Sequence, residues 1–308
     1  MSQATTKPTG RFAPSPSGRM HMGNLWSCLL AWLSARSAGG RMVLRLEDLD
    51  PDRCRREYCD QVMKDLEWLG LDWDGEPVYQ SKRTEAYAQA FHALEERGLV
   101  YPCFCTRAER LAASAPHRSD GLQVYDGRCS GLTEAQREVL SKTRRPAWRV
   151  KVPEKTIAFR DFLYGNYSED LKRDCGDFIV RRSDGVYAYQ LAVVVDDAMM
   201  GVTQVVRGSD LLSSTPRQLW LQEALGLPHP KYGHLPLLLS PEGRRLAKRD
   251  RDLELGELQR RYTAPEIVGE LAFAARLIDR PDPITPQELL PMFSWEKLPR
   301  EDLVWSLP

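Results

Sequence analysis

The chain of 308 residues is long enough for one large domain or two smaller ones, and 42% hydrophobic residues are typical of a globular protein. Its 43 basic and 43 acidic residues balance, which excludes a chain-wide basic field for nucleic acid, so any RNA site must be a local patch. The polar first ten residues lack a signal-peptide core and no apolar run reaches membrane-spanning length, so we expect a cytoplasmic protein without a membrane partner.

The first informative stretch is Arg11–Asn24, with the sequence RFAPSPSGRMHMGN. Its two prolines exclude a regular helix, and helical apolar spacing begins only at Leu25. We therefore predict a strand end, a turn and a helix start. His21 and Gly23 then lie at a helix N-terminus, where free N–H groups favour an anion, and Gly23 lets a ligand approach the backbone.

A second strand is predicted by the alternating residues of Arg41–Asp50. Strand, helix and strand in this order predict a parallel βαβ unit and a Rossmann-like sheet. Glu47 then lies at the carboxyl end of its strand, where open α/β sheets bind ligands. Asp48 and Asp50 are equally well explained as charges of a solvated loop.

The stretch Arg11–Asn24 resembles the first signature of class I aminoacyl-tRNA synthetases, His-Ile-Gly-His, which stands here as His21-Met22-Gly23-Asn24. The longer run RFAPSPSG is specific to the glutamyl branch. The resemblance implies an ATP site with His21, Gly23 and Asn24, in which His21 is catalytic. It also implies a glutamate site, where an acidic residue meets the substrate's ammonium group; its residues here are Arg11, Phe12, Ala13, Pro14, Ser15 and Glu47.

Cysteines predict a metal site in the next segment. Cys103, Cys105 and Cys129 have spacing that suits one tetrahedral structural Zn²⁺, although three thiolates leave a position open. The resemblance to the small zinc module of the glutamyl branch fills that position with Tyr125, an unusual ligand. His117, the commoner ligand type, is the alternative, and three buried free thiols are the reading without metal. The other four cysteines lack ligand spacing.

The second half of the chain continues the sheet. Ser183-Asp184-Gly185 predicts a hairpin between 177–182 and 186–189, and a strand over 202–208 places Arg207 at its carboxyl end. Thr215-Pro216 predicts a helix start with Thr215 as the N-cap. The resemblance implies that Tyr189 and Arg207 contact glutamate, while a packed core tyrosine explains Tyr189 nearly as well.

The second class I signature, Lys-Met-Ser-Lys-Ser, has its counterpart in Arg245-Leu246-Ala247-Lys248-Arg249, after a predicted strand over 234–239. Only Lys248 is identical, while Arg245 keeps a positive charge. The resemblance implies that Arg245 and Lys248 bind ATP and that Lys248 is catalytic, on a mobile loop. Without that context the segment would be a solvated basic run.

The resemblance also divides the chain. It implies a Rossmann-like parallel-sheet catalytic domain without an anticodon-binding domain. The first half spans 1–100, a zinc-binding insertion 101–131, a connecting β-rich segment 132–174, the second half 175–250, and a short helical C-terminal subdomain 251–308.

The whole pattern is similar to stand-alone paralogues of the catalytic half of glutamyl-tRNA synthetase. These activate L-glutamate with ATP and Mg²⁺ in the absence of tRNA, and then transfer it to queuosine at the first anticodon position of tRNA(Asp). We therefore expect glutamate, ATP and this anticodon loop as partners of a monomer. Three alternatives remain: a truncated glutamyl-tRNA synthetase that charges a tRNA 3′ end, a small-molecule nucleotidyltransferase, and an inactive binding or regulatory paralogue.

Overall fold

The computed structural model describes residues 7–106, 124–244, 246 and 254–305. In chain order the strands are β1 (Thr9–Phe12), β2 (Arg41–Leu46), β3 (Val78–Tyr79), β4 (Val100–Cys103), β5 (Ala147–Val150), β6 (Thr156–Asp161), β7 (Gly165–Asp170), β8 (Phe178–Arg181), β9 (Gln204–Gly208), β10 (Lys231–Leu235), β11 (Leu238–Leu239) and β12 (Leu303–Val304). The described α-helices are α1 (Met22–Arg36), α2 (Arg56–Trp68), α3 (Thr84–Glu96), α4 (Glu134–Ser141), α5 (Tyr189–Met199), α6 (Ser214–Leu225), α7 (Leu255–Arg261), α8 (Ala264–Ala274) and α9 (Pro286–Leu289).

The predicted βαβ unit is confirmed. β1 pairs in parallel with β2 from Thr9↔Arg41 to Phe12↔Leu44, and β2 pairs in parallel with β3. The crossover helix α1 buries most of its length, including Leu25, Trp26 and Leu29. The carboxyl ends of β1 and β2 therefore lie beside the amino end of α1, as the ligand-binding edge of an open sheet requires.

A second parallel ladder supplies the other half of the sheet, in the order β7-β6-β10-β9, where only β7 runs antiparallel. The two ladders adjoin where Thr203 N donates to Thr9 O over 3.0 Å, just before β9. β6 and β7 form a hairpin through a turn over 162–164, and Gly165 already pairs with Asp161 as the first residue of β7. A separate antiparallel sheet, β4-β5-β8, carries the cysteine segment.

Three local predictions need correction. Residues 186–189 do not form the second strand of a hairpin: only the bridge Arg181↔Tyr187 forms, and Tyr189 already begins α5. The strand predicted over 234–239 is divided into β10 and β11, because Pro236 lacks the N–H that a continuing ladder needs. Helix α6 begins at Ser214, so Thr215 is not its N-cap.

The interior consists of two large apolar clusters. One packs α1 against β1, β2 and the C-terminal helices, and the other surrounds α5 and β9. The C-terminal segment is fastened to the body by the parallel pair β11–β12. Within the described ranges, no helix has both the length and the apolar character needed to cross a lipid bilayer.

Candidate active site

A cavity of about 530 Å³ opens at the carboxyl ends of β1, β2 and β9. It collects the described residues that the sequence assigned to glutamate and ATP. The predicted residues that line it are Arg11, Phe12, Ala13, Pro14, Ser15, His21, Gly23, Asn24, Glu47, Tyr189 and Arg207. Residues far apart in the chain are thus brought to one site.

Strand geometry explains this convergence. Arg11 lies on β1, Glu47 directly follows β2, and Arg207 is the penultimate residue of β9. Parallel neighbouring strands end at the same edge of a sheet, so their last side chains face one space. Tyr189 is the first residue of α5 and is half-buried at the cavity wall, so it is not solely a core tyrosine.

The opposite wall is the start of α1, as the sequence predicts. His21 is the N-cap residue, with an extended backbone, and Gly23 follows in the first turn. A Cβ at Gly23 would lie 3.1 Å from the His21 ring, so only glycine allows the ring to pack this closely against the first turn of α1. Asn24 Oδ1 accepts a hydrogen bond from His21 N over 3.1 Å. The helix start therefore offers N–H groups suited to an anion.

A buried network of charges supports Glu47. Arg45 Nη2 donates to Glu47 Oε1 over 3.2 Å, and Arg45 Nη1 donates to Asp197 Oδ1 over 2.6 Å. Burial raises the pKa of Glu47, while Arg45 and Arg11 act in the opposite direction. Burial alone would lower the pKa of Arg45, but the Asp197, Glu47 and Asp196 carboxylates outweigh it and raise that pKa. Arg45 is thus a permanent cation behind Glu47.

Two arginines present donors that have no protein acceptor among the described residues. Arg11 and Arg207 are each 5% exposed, and Arg11 Nε and Arg207 Nη1 have no hydrogen-bond partner within that part of the chain. Burial lowers the pKa of Arg11, partly offset by Asp197 at 3.9 Å. A buried guanidinium donor without an acceptor is costly, so these two groups suit an anionic ligand.

The second signature is described only in part. Leu246 is buried and lines the cavity. Arg245 and Lys248 lie outside the described residues, as does His117, the alternative zinc ligand.

The sequence reasoning missed the residues behind the cavity. Arg45 and Asp197 lie within runs that look like core, and His234 is the penultimate residue of the largely buried strand β10. These residues could have been identified as charged or polar residues inside otherwise apolar runs, because such a group needs a partner when it is buried.

The cysteine segment forms a second candidate site. The Sγ atoms of Cys103, Cys105 and Cys129 lie within 4.8 Å of one another, as the spacing predicts. Tyr125 Oη lies 3.5 Å from Cys103 Sγ and 3.4 Å from Cys105 Sγ, and accepts a hydrogen bond from Cys129 N over 3.1 Å. Three sulfur atoms and one phenol oxygen are therefore clustered around a common centre.

Comparison with known proteins agrees with this architecture. The family model for the catalytic domain of class I tRNA synthetases (E and Q) matches residues 8–268. A glutamyl-Q tRNA(Asp) synthetase from Symbiobacterium thermophilum is 49% identical over 305 residues, which cover 95% of this chain and 94% of that protein. One from Nitratidesulfovibrio vulgaris is 49% identical over 307 residues, with coverage of 96% and 94%.

The fold is also found in solved structures. A glutamate tRNA ligase from Elizabethkingia meningosepticum, crystallised with its amino acid, superposes with a TM-score of 0.82 at 26% identity, over 97% of this chain and 67% of that one. A glutamate-tRNA synthetase from Elizabethkingia anophelis gives 0.83 at 26% identity, over 97% and 68%. The chain therefore belongs to the class I tRNA synthetase family for glutamate and glutamine and, within it, to the glutamyl-Q tRNA(Asp) synthetases, which are ligases.

Proposed function

We propose that the chain activates L-glutamate with ATP in the absence of tRNA, forming glutamyl-adenylate, and transfers the glutamyl group to queuosine at the first anticodon position of tRNA(Asp). The observation that carries this proposal is the convergence of Arg11, Glu47, Tyr189 and Arg207 on one cavity that also contains the start of α1. The names of the relatives supply the acceptor.

Complementary charges support glutamate as the substrate. Glu47, held by Arg45, receives the α-ammonium group, and Tyr189 closes the same wall. Arg11 and Arg207 bind the side-chain carboxylate: Arg207 Nη1 has no acceptor among the described residues, and Arg11 Nε has only the Asp197 carboxylate at 3.9 Å. An arginine fork matches a carboxylate better than a point charge does, so these two residues select an acidic amino acid.

Activation takes place between this subsite and the start of α1. An oxygen of the α-carboxylate attacks the α-phosphorus of ATP, and pyrophosphate leaves with the electrons of the broken P–O bond. His21, Gly23 and Asn24 hold the phosphates at the helix N-terminus, and Arg245 and Lys248 bind ATP from the second signature. Mg²⁺ bound to phosphate oxygens, mostly through water, would supply further charge neutralisation.

Transfer then needs only an accessible acceptor hydroxyl. A hydroxyl of the cyclopentenediol of queuosine attacks the glutamyl carbonyl, its proton is released, and AMP leaves. The anticodon loop suits such a reaction, because single-stranded loops offer unstacked bases for recognition. Arg182 is 45% exposed and lines a second cavity that shares Ser15, Glu47 and Tyr189 with the first, so it can contact RNA. We propose that the enzyme acts as a cytoplasmic monomer.

The cysteine segment suits one structural Zn²⁺ held by Cys103, Cys105, Tyr125 and Cys129. Tetrahedral zinc with Zn–S of about 2.3 Å and Zn–O of about 2.0 Å has ligand–ligand edges of about 3.5–3.8 Å. The Tyr125 Oη distances of 3.4 and 3.5 Å, and the Cys105–Cys129 Sγ distance of 3.5 Å, agree with such edges. This agreement favours Tyr125 over His117 as the fourth ligand.

Two assays test the proposal. Glutamate-dependent exchange of pyrophosphate into ATP should proceed without any tRNA, and Glu47→Gln should lower kcat/KM for glutamate by about 10- to 100-fold, as expected for loss of a charged hydrogen bond. Absence of exchange in the wild-type protein would identify an inactive paralogue or a nucleotidyltransferase with another substrate.

The acceptor is tested with radioactive glutamate and tRNA(Asp) that either contains or lacks queuosine. Label should depend on the modified base and survive enzymatic removal of the 3′-terminal adenosine. Label on tRNA(Glu) that is lost with that adenosine would instead identify an enzyme that charges the 3′ end.

A further inference from the structure

Behind Arg207 lies a group of buried polar side chains that none of the steps above uses. His234 on β10 is the direct neighbour of Arg207 on β9 in the parallel register. Asp161 is the last residue of β6, the strand next to β10 on the side away from β9. Asp161 and His234 are 1% and 0% exposed. A chain of three polar groups therefore crosses three strands of the sheet, and Arg207 at one end of it lines the cavity.

The hydrogen bonds of Asp161 fix the state of the imidazole. Asp161 accepts from the backbone N–H groups of Leu163, Tyr164 and His234 at 2.9–3.0 Å. His234 Nδ1 lies 2.7 Å from Asp161 Oδ2 and must donate to it, because a carboxylate only accepts. Burial lowers the pKa of His234 to about 4, so the ring is neutral near pH 7. Its Nε2 is then an acceptor.

That acceptor faces Arg207. Arg207 Nε donates to His234 Nε2 over 3.1 Å, and Arg207 Nη2 donates to Thr215 Oγ1 over 2.8 Å. The two acceptor side chains, His234 and Thr215, are fully buried. The Arg207 Nη1 group has no acceptor among the described residues and belongs to the cavity-lining side chain. Within the described part of the chain, protein acceptors thus fix Nε and Nη2, and Nη1 is the one nitrogen of this guanidinium left for a ligand, which would have to reach it at its buried position.

We propose that Asp161 and His234 form an orienting relay for Arg207: Asp161 selects the His234 tautomer, and His234 with Thr215 locks the guanidinium so that Nη1 meets the substrate carboxylate. His234 is a positioning residue, because it acts through Arg207. The inference rests on the proposed function only in assigning glutamate to Arg207. Preorganisation explains why buried polar groups are kept here: the arginine loses little further freedom when the ligand binds.

The test compares three variants at His234 in glutamate-dependent pyrophosphate exchange. His234→Phe keeps a planar ring but removes both polar atoms, and it should raise KM for glutamate by about 10-fold or more. His234→Gln can still present an oxygen to Arg207 and should recover most of this loss. His234→Asn is too short to reach Arg207 and should behave like the Phe variant. KM for ATP should stay within about twofold throughout.

A second pair keeps the test valid if His234→Phe fails to fold. Thr215→Val removes the nearer acceptor of Arg207 Nη2, leaves Leu211 O at 3.3 Å, and changes the shape little, so it should also raise KM for glutamate, whereas Thr215→Ser should not. The inference is overturned if these variants leave KM for glutamate unchanged, or if KM for glutamate and ATP rise together in proportion to lost thermal stability. Arg207→Lys separates the two proposals: no effect of that variant on KM for glutamate would refute the assignment of Arg207 itself.

Discussion

In the ligand-free protein, burial disfavours the charged form of Glu47, and a bound cation would reduce this penalty. The side chain is only 10% exposed, and burial raises its pKa above the ordinary value for a glutamate. Arg45 and Arg11 favour the charged form without fully offsetting this effect. An ammonium group placed beside Glu47 adds a further cation, so its binding favours the ionised form of Glu47, which burial disfavours.

The first prediction concerns the pH dependence of glutamate binding. Because Glu47 must be ionised to hold an ammonium group and its pKa is raised, KM for glutamate should increase on acidification at a higher pH than an ordinary carboxylate would give. Exchange kinetics between about pH 5 and pH 8 measure this, with KM for ATP as the internal control. In Glu47→Gln the acidic rise should vanish; a rise of the same size in that variant would assign the titration to another group.

The same shift predicts a trade between stability and activity. A carboxyl whose pKa is raised by folding binds more protons in the native state, so stability falls as pH rises through that pKa. Glu47→Gln should therefore melt at a higher temperature than the wild-type protein near pH 7. The difference should disappear at pH values below the ordinary glutamate pKa. Thermal melts of the ligand-free proteins across this range decide the sign.

At the level of elements, the sequence predicted the start of α1 and the strand β9 but not the helix α5. The start of α1 followed from prolines and glycine before an apolar repeat, and β9 from the run over 202–208, which places Arg207 near the carboxyl end of the strand. The run over 191–197 forms a helix that no periodicity indicated, because α5 buries residues around most of its circumference. A segment that is apolar on every face carries no amphipathic signal.

The cysteine segment illustrates a different limit. Its three cysteines were grouped by spacing, but the cation beside them could not be read from the sequence. Arg149 lies with its Cζ atom 3.7 Å from the centre of the Tyr125 ring and donates from Nε to Cys103 Sγ over 3.3 Å. Its Nη1 donates to Asp177 O over 2.6 Å, and the residue is buried. β5 thereby brings a fixed positive charge against the proposed ligands.

A zinc centre with three thiolates and a phenolate carries excess negative charge, which Arg149 can compensate. We predict that Arg149→Met lowers zinc affinity by about 10- to 100-fold. Zinc retained after dialysis against a competing chelator, measured by elemental analysis, checks this. Arg128→Met is the matched control, because Arg128 is 45% exposed and pairs with Asp126. Equal zinc retention in both variants would contradict the assigned role of Arg149.

At the scale of the whole molecule, the site lies where the two halves of the sheet meet, and charged side chains join them. Arg45 comes from β2 in the first half, and Asp196 and Asp197 come from α5 in the second. Asp196 also accepts from Gln80, Arg83 and Tyr87. The sequence could assign Arg11, Glu47 and Arg207 to strand ends, but this pairing across about 150 residues depends on tertiary structure alone.

The last prediction tests whether this junction supports both stability and binding. Arg45→Met leaves the Asp197 and Glu47 carboxylates without their main cation, so we expect a loss of about 3–5 kcal/mol in unfolding free energy. Asp197 lies 3.9 Å from Arg11 and should then hold that arginine more firmly, which raises KM for glutamate. Denaturant unfolding and exchange kinetics measure the two effects.

Two further variants help to interpret the effect of Arg45→Met on stability. Arg260→Met breaks an exposed pair with Glu257 and should cost less than about 1 kcal/mol. Arg45→Met combined with Asp197→Asn removes one of the two unpaired carboxylates and should regain part of the stability, because the effects of coupled neighbours do not add. If Arg45→Met costs no more than the exposed control, the Arg45 ion pairs add nothing to the other contacts that hold the halves together. In that case Arg45 serves only to keep Glu47 in its place beside the cavity.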